Sequence, residues 1–373
     1  MPSIHVVRWI ENLKDTSHEL YWFDVLNRGK IQTIDSVCQI TDWKKRKLPN
    51  IKGEFFLKKN KPNLYKKIVP FLETTANEAL EKIILEIQPD IVHSFEMQTC
   101  SFPILKTMQK FWQIKWLYSC WGTDIYNYQN STSHLDKIRK MLLRVDFLHT
   151  DCLRDFQLAT KFGFNGKFLG VIPGGTGYKI KELQNWTIPI EKRKVILIKG
   201  YQHYHGRALN IIKAIESLNQ NIESYDVVVF GAHKNVINYI ESNHLNFKVY
   251  KQNSIDHSEL LKLMGETLLY IGNSVSDGIP NTLLEAIVMG AFPIQSNPGG
   301  ASAEIIKHKL NGLLIENPED INEIEGLITY FLQNSNINST AREFNLNLAM
   351  DRLDYKKNQK KIIDMYNHTQ NIQ

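Results

Sequence analysis

At 373 residues the chain is long for one core and suits two domains of ordinary size. Its 43% apolar and 23% charged content is that of a soluble globular protein, and no apolar run approaches the ~20 residues of a spanning helix. The net charge of +6 is modest and unevenly spread.

Residues 1–14 lack a signal-peptide core, so a cytoplasmic location is expected. Residues 3–13 read either as an amphipathic helix capped by Ser3, with Ile4, Val7, Ile10 and Leu13 on one face, or as a strand over residues 4–10. On the helix reading a doubly wound domain starts without its usual first strand, and the true start would lie upstream. Residues 18–26 are more strand-like. Between residues 42 and 69 lie Lys44, Lys45, Arg46, Lys47, Lys52, Lys58, Lys59, Lys61, Lys66 and Lys67, opposed by Asp42 and Glu54 and interleaved with Trp43, Phe55, Phe56, Leu57 and Tyr65. Such a stretch suits a solvated face or docking on an anionic membrane. No recognised nucleic-acid module accompanies it, so nucleic acid is not an expected partner.

A helical pattern over residues 63–87, interrupted at Pro70, leads into buried strands at 91–95, 116–120 and 147–150 and a helix at about 153–162. Alternating strands and helices imply parallel sheets, whose ligands bind beyond the carboxyl ends of the strands. Glu96, Gln98, Thr123 and Asp124 are therefore expected at the mouth of the first domain, with His93 as a core histidine. Further strands are expected at 195–199, 226–230, 247–250, 268–271 and 292–294, and a tail helix at 351–367. Cys38, Cys100, Cys120 and Cys152 show no paired metal spacing and read as buried thiols of a reducing compartment. No internal repeat or low-complexity tract is evident.

The stretch from Ser274 to Gly300 carries the chemistry. A strand breaks into small polar residues. Asp277 stands at the loop mouth, Gly278, Pro280 and Asn281 form a turn, and Thr282 is positioned to cap a helix that stops at Gly290. Such a helix points free N–H groups at the strand tip, where a phosphate could sit. Glu285, one turn in, could accept hydrogen bonds from a ribose diol. Spacing alone is equally compatible with an ordinary strand-turn-helix unit.

Acid, seven residues, Glu-Ala, and then Gly290, Pro293 and Pro298-Gly299-Gly300 resemble the donor-site signature of glycosyltransferase family four. Glu304-Ile305-Ile306, Asn311 to Ile315 and Pro318-Glu319-Asp320 follow the same pattern. The first acid of that family is usually Glu, so Asp277 has a shorter reach. The resemblance implies a retaining enzyme of GT-B fold, with two Rossmann-like doubly wound parallel-sheet domains facing a central cleft. Residues 1–190 would form the acceptor-side domain and residues 191–350 the nucleotide-sugar domain, with 351–373 crossing back as a helix; Val171 to Gly175 looks like the crossing between domains.

The resemblance places Gly200, Tyr201, His205, Gly278, Ile279, Pro280, Asn281, Thr282, Leu283 and Glu285 at the donor and Asp277 at its sugar. The two cations that the family places near the diphosphate are replaced by Tyr201 and His205, so Lys199 and Arg207 are expected to take that charge. Trp121-Gly122-Thr123-Asp124 stands where many relatives have His-Gly-Ser/Thr-Asp. Trp121 lacks the acid-base capacity of that His and would instead pack against a sugar, with Gln98 and Thr123 beside it and Asp124 or Glu96 orienting the acceptor. The implied donor is a nucleoside-diphosphate sugar, most readily a UDP-sugar, and the acceptor a glycan or lipid-linked saccharide. No acidic cluster offers an evident metal site, so neither metal nor cofactor is expected. A nucleotide-sugar epimerase or hydrolase, or an inactive donor-binding homologue, would share these features.

Overall fold

Two parallel sheets, one in each half of the chain, organise the computed structural model, which describes residues 4–35, 37–334 and 337–370. Ser3, the expected helix cap, lies outside the described residues. In the first half, β1 (Tyr21–Phe23) and β2 (Cys38–Ile40) form a two-stranded parallel ribbon. Beside it, β3 (Ile91–Phe95), β4 (Lys115–Cys120), β5 (Phe147–Thr150) and β6 (Lys167–Val171) form a parallel sheet in sequence order. The second half holds β7 (Val195–Lys199), β8 (Asp226–Ala232), β9 (Lys248–Lys251), β10 (Thr267–Gly272), β11 (Phe292–Ser296) and β12 (Leu313–Ile315), in the order β12-β11-β10-β7-β8-β9. All its pairings are parallel.

Why these runs become central strands is visible in their burial. Ile196 and Ile198 enter the cluster on one face with Leu269 and Ile271, while Leu197 and Tyr270 enter the cluster on the other. Successive side chains point to opposite faces, and a strand covered on both sides is apolar without alternation. Trp116, Leu117 and Tyr118 of β4 are likewise fully buried.

The first segment is a helix, Ile4–Glu11. Its apolar residues serve two cores: Trp9 and Leu13 join Ile172, Ile362 and Met365, while Val7 and Ile10 meet Ile31, Ile34 and Val37. Pro70 does not interrupt its helix. The Pro62–Leu72 helix carries it in its last turns, and the break comes at residues 73–75, where Thr75 and Glu78 form a capping box for the Ala76–Ile87 helix. The cysteine expectation is corrected in part: Cys120 and Cys152 are buried, Cys100 is half-buried and Cys38 is exposed, on the three-residue β2 of the small ribbon.

The last helix, Tyr355–Gln370, returns to the first half, where Tyr366 Oη accepts from Trp9 Nε1 (2.8 Å) and bonds to His93 Nδ1 (2.6 Å). His93 is also bonded to Ser119 Oγ (2.8 Å) through Nε2, and burial holds its pKa well below the ordinary value, as suits a core histidine. Where the chain passes between halves, Tyr178 N donates to Leu353 O (2.7 Å) and Tyr355 N to Tyr178 O (2.9 Å). Among the described residues no helix is long and apolar enough to cross a membrane.

Candidate active site

In the six-stranded sheet β7 and β10 are neighbours at which the strand order reverses, and it is beyond the carboxyl ends at such a point that ligands of parallel sheets bind. The loops leaving those two strands bring Lys199 Nζ to 3.9 Å from Asp277 Oδ2. Asp277 Oδ1 accepts from Gly278 N (3.0 Å), so one oxygen is fixed and the other faces the cation.

The following helix runs Asn281–Val288 and carries Glu285, 3% exposed. Its cap is Pro280, and Thr282 does not cap it as expected; Thr282 Oγ1 bonds to Tyr270 Oη (2.8 Å) instead. Leu283 is buried in the core beneath, with Ile279, and Gly290 closes the helix with φ +77°. Glu285 Oε1 accepts from His257 Nε2 (2.8 Å) and has Arg8 Nη2 at 3.5 Å. Among the described residues both contacts fall on one oxygen, Oε1. Asn281 Nδ2 donates to His5 Nδ1 (2.8 Å), whose pKa is lowered by burial and by Arg8. His5, Arg8 and His257 were absent from the expected site.

The loop after β7 is built by close approach. Gly200 N donates to Phe230 O (2.8 Å), and Tyr201 stacks on His233 at 5.4 Å with Lys199 Nζ 5.0 Å from its ring. His205 O accepts from Val275 N (2.8 Å), and its imidazole, with its pKa lowered by burial, feels Asp277 and Arg207. Arg207 is engaged elsewhere than expected. Its Nε donates to Glu319 Oε1 (2.5 Å) and its Nη1 to the carbonyls of His203, Tyr204 and Gly206 (3.1, 3.2 and 3.0 Å), so it ties its own loop to the turn ahead of the Ile321–Gln333 helix. Lys199 is the cation beside the acid.

On the first domain's side Trp121 meets His5 (5.3 Å between rings) and Phe95 (5.8 Å), and Thr123 Oγ1 accepts from Ser276 Oγ (3.4 Å). Gly122 has φ +92°, and a Cβ there would stand 2.2 Å from Gly278 N, so the two domains touch backbone to backbone. The two acids expected to orient the acceptor both bond within the first half of the chain. Asp124 is buried and accepts from Tyr118 Oη, Cys120 Sγ (3.1 Å) and Trp121 N (3.2 Å). Burial and the Glu96 charge push its pKa up to about 7. Glu96 accepts from Gln98 N (3.0 Å) and from Thr99 N and Oγ1 (both 2.6 Å). Both carboxylates hold their own loops. Gln98 Nε2 donates to Asp124 O (2.8 Å), joining those loops.

Across the cleft Arg154 Nη1 donates to Pro298 O (2.5 Å) and Nη2 to Asp277 O (2.8 Å), while Asp155 Oδ1 neutralises it at 2.7 Å. In return Glu304 accepts from Leu153 N (2.8 Å) and Arg154 N (3.0 Å), capping a helix of the other domain. Asp151, after β5, has its Cβ 3.5 Å from where a side chain on Gly278 would begin. Burial, then Asp155, Asp124 and Asp277, raise its pKa well above the ordinary value. Asp151 was absent from the expected site.

Two family models match the chain. The model described as glycosyl transferases group 1 covers residues 180–347, and that described as glycosyl transferase 4-like covers residues 1–151. No curated protein matched. Among solved structures, a glycosyltransferase from Rickettsia africae ESF-5 is similar at a TM-score of 0.67 with 16% identity, covering 99% of this chain and 94% of that one. Sucrose-phosphate synthase from Thermosynechococcus elongatus is similar at 0.72 with 14% identity, covering 98% and 92%. Anabaena HepE, solved with UDP and glucose, is similar at 0.69 with 12% identity, covering 99% and 97%. At these identities the structures bear on the fold, which is GT-B, while the two family models between them span both halves. Each half of the chain thus matches a glycosyltransferase family model, on a fold of GT-B type.

Proposed function

We propose that the protein is a retaining glycosyltransferase that moves a hexosyl or N-acetylhexosaminyl group from a UDP-sugar to a glycan or lipid-linked acceptor in cell-surface polysaccharide or glycolipid synthesis, working on the cytoplasmic side. The observation that carries this reading is the pairing at the switch point: Glu285, buried in the Asn281–Val288 helix with its contacts on Oε1 alone among the described residues, and the Asp277–Lys199 pair at its mouth. Glu285 would hold the ribose and Asp277 the donor sugar. Lys199 and the first N–H groups of the helix would hold the diphosphate.

In the transfer the bond from C1 of the sugar to the phosphate oxygen breaks and a bond from C1 to the acceptor oxygen forms on the same face. The acceptor proton passes to the departing phosphate. The protein then contributes mainly position and charge stabilisation. Lys199 supplies that charge, so activity should survive EDTA. The N-terminal helix lends Arg8 to the same pocket, where it offsets the buried Glu285 charge before the donor arrives.

UDP titration by calorimetry tests the assignment. Glu285→Gln should weaken UDP itself by about tenfold or more, and Asp277→Asn should spare UDP but abolish sugar transfer. Unchanged UDP affinity in Glu285→Gln would remove the ribose role.

A further inference from the structure

The helices Glu54–Asn60 and Pro62–Leu72 form a hairpin joined at Lys61. The first buries no side chain and the second buries Leu72 alone. Phe55, Phe56 and Phe71 are 78%, 62% and 73% exposed, with Leu48, Ile51 and Leu64 also open to solvent. Scattered apolar residues at a surface need no explanation, but a group of large ones on one short hairpin marks a contact.

Charge says what the contact is with. Of the basic residues in 42–69, three ahead of the hairpin are paired within the protein: Lys44 with Glu73 (2.8 Å), Arg46 with Glu54 (2.7 Å) and Lys47 with Glu78 (2.6 Å). From residue 51 to residue 72 the sequence has six lysines, Lys52, Lys58, Lys59, Lys61, Lys66 and Lys67, against the single acid Glu54, which Arg46 and Tyr65 already hold. All six are exposed. A protein partner's interface core is depleted in lysine, whereas aromatic rings set among lysines suit the headgroup layer of a bilayer.

We infer that this hairpin docks the enzyme on an anionic phospholipid membrane, with Phe55, Phe56 and Phe71 entering the headgroup layer and the lysines of residues 52–67 holding the lipid phosphates. The inference deepens the proposed function by naming the surface on which a lipid-linked acceptor would be met, and rests on that part of it. It also moves the membrane contact off Lys44, Arg46 and Lys47, whose charges are balanced within the fold.

The test is sedimentation of the full chain with vesicles of phosphatidylcholine alone and with phosphatidylglycerol added, alongside UDP binding by thermal shift. Binding should appear with the anionic lipid and fall steeply with salt, because exposed charges are screened over about 8 Å at 0.15 M. Phe55→Ser, Phe56→Ser and Phe71→Ser together should lower the partition at least tenfold, and Lys58, Lys59, Lys66 and Lys67 changed to Gln should abolish the dependence on anionic lipid. UDP shifts should stay at the wild-type value in both. Equal binding to the two vesicle types overturns the inference, as does binding untouched by either variant, or self-association without lipid that the Phe variant removes. Loss of UDP binding in the wild type would instead refute the donor reading, whatever the vesicles show.

Discussion

The two domains treat their strand-end carboxylates in opposite ways. In the second, Asp277 Oδ2 lies 3.9 Å from Lys199 Nζ and, among the described residues, Glu285 takes its contacts on Oε1 alone. In the first, Glu96 and Asp124 occupy the equivalent ends of β3 and β4, yet every oxygen accepts from a nearby N–H, hydroxyl or thiol. A parallel sheet dictates where a ligand can approach. Whether an acid there is left open or shapes the loop depends on which nearby donors claim its oxygens: Gln98 and Thr99 for Glu96, Tyr118, Cys120 and Trp121 for Asp124.

The sharpest test of the donor side is its cation. Lys199→Met should reduce turnover by about 100- to 1000-fold, the scale of removing one donor to a developing charge. Arg207→Ala, which breaks a partly exposed pair with Glu319, should cost roughly tenfold at most. Steady-state rates at saturating donor decide; equal losses would erase the distinction between them. On the first domain's side the matching test is Gly122→Ala. The added methyl must push Gly278 away, and a displacement of about 1 Å costs about 100-fold. Turnover should fall by that order with UDP binding intact; full activity would show that the domains meet differently when substrates are bound.

Asp124 gives a pH test of a scaffold acid. Its pKa is about 7 in the fold against 3.8 for the free side chain, so the folded form keeps a proton that the unfolded chain has lost between those values. Stability should therefore fall as pH rises through that window, by about 1.4 kcal/mol per unit, and level off above it. Asp124→Asn should remove that slope from urea midpoints measured at pH 5 and 7, and an unchanged slope would assign the titration elsewhere. The smallest effect belongs to the interdomain cap: Glu304→Ala should lose about 1 kcal/mol in urea unfolding and leave UDP affinity alone.

Much of this was legible in the chain. The apolar runs of β4, β7 and β10 announced buried parallel strands, and the spacing of Asp277 and Glu285 placed both acids around one helix start. Lys199 ends a readable strand. His5, Arg8 and His257 were not legible, because Arg8 and Glu285 are 277 positions apart and meet through tertiary packing alone. Glu96 could have been read better: an acid followed by Gln98 and Thr99 has the local pattern of a cap. Thr282 misled for the reverse reason, a capping residue two positions inside a turn that Pro280 already sets. β12 escaped notice because three residues, Leu313–Ile315, offer too short a pattern.

The paired crossings at Tyr178 and at Leu353–Tyr355 have a mechanical consequence. Hydrogen bonds hold the two strands of chain side by side, and a Cβ on Gly177 would lie 2.9 Å from Leu353 O and Asp354 O, so they cannot slide past one another freely. Two adjacent pivots define an axis, where one would allow the domains to swivel. Any opening about that axis would resemble the swing of a door, with Tyr178 at the jamb. The Gly122–Gly278 contact and the Glu304 cap lie on the swinging side. On the proposed function, such a swing would part the Gly122 and Gly278 backbones and break the two Glu304 hydrogen bonds.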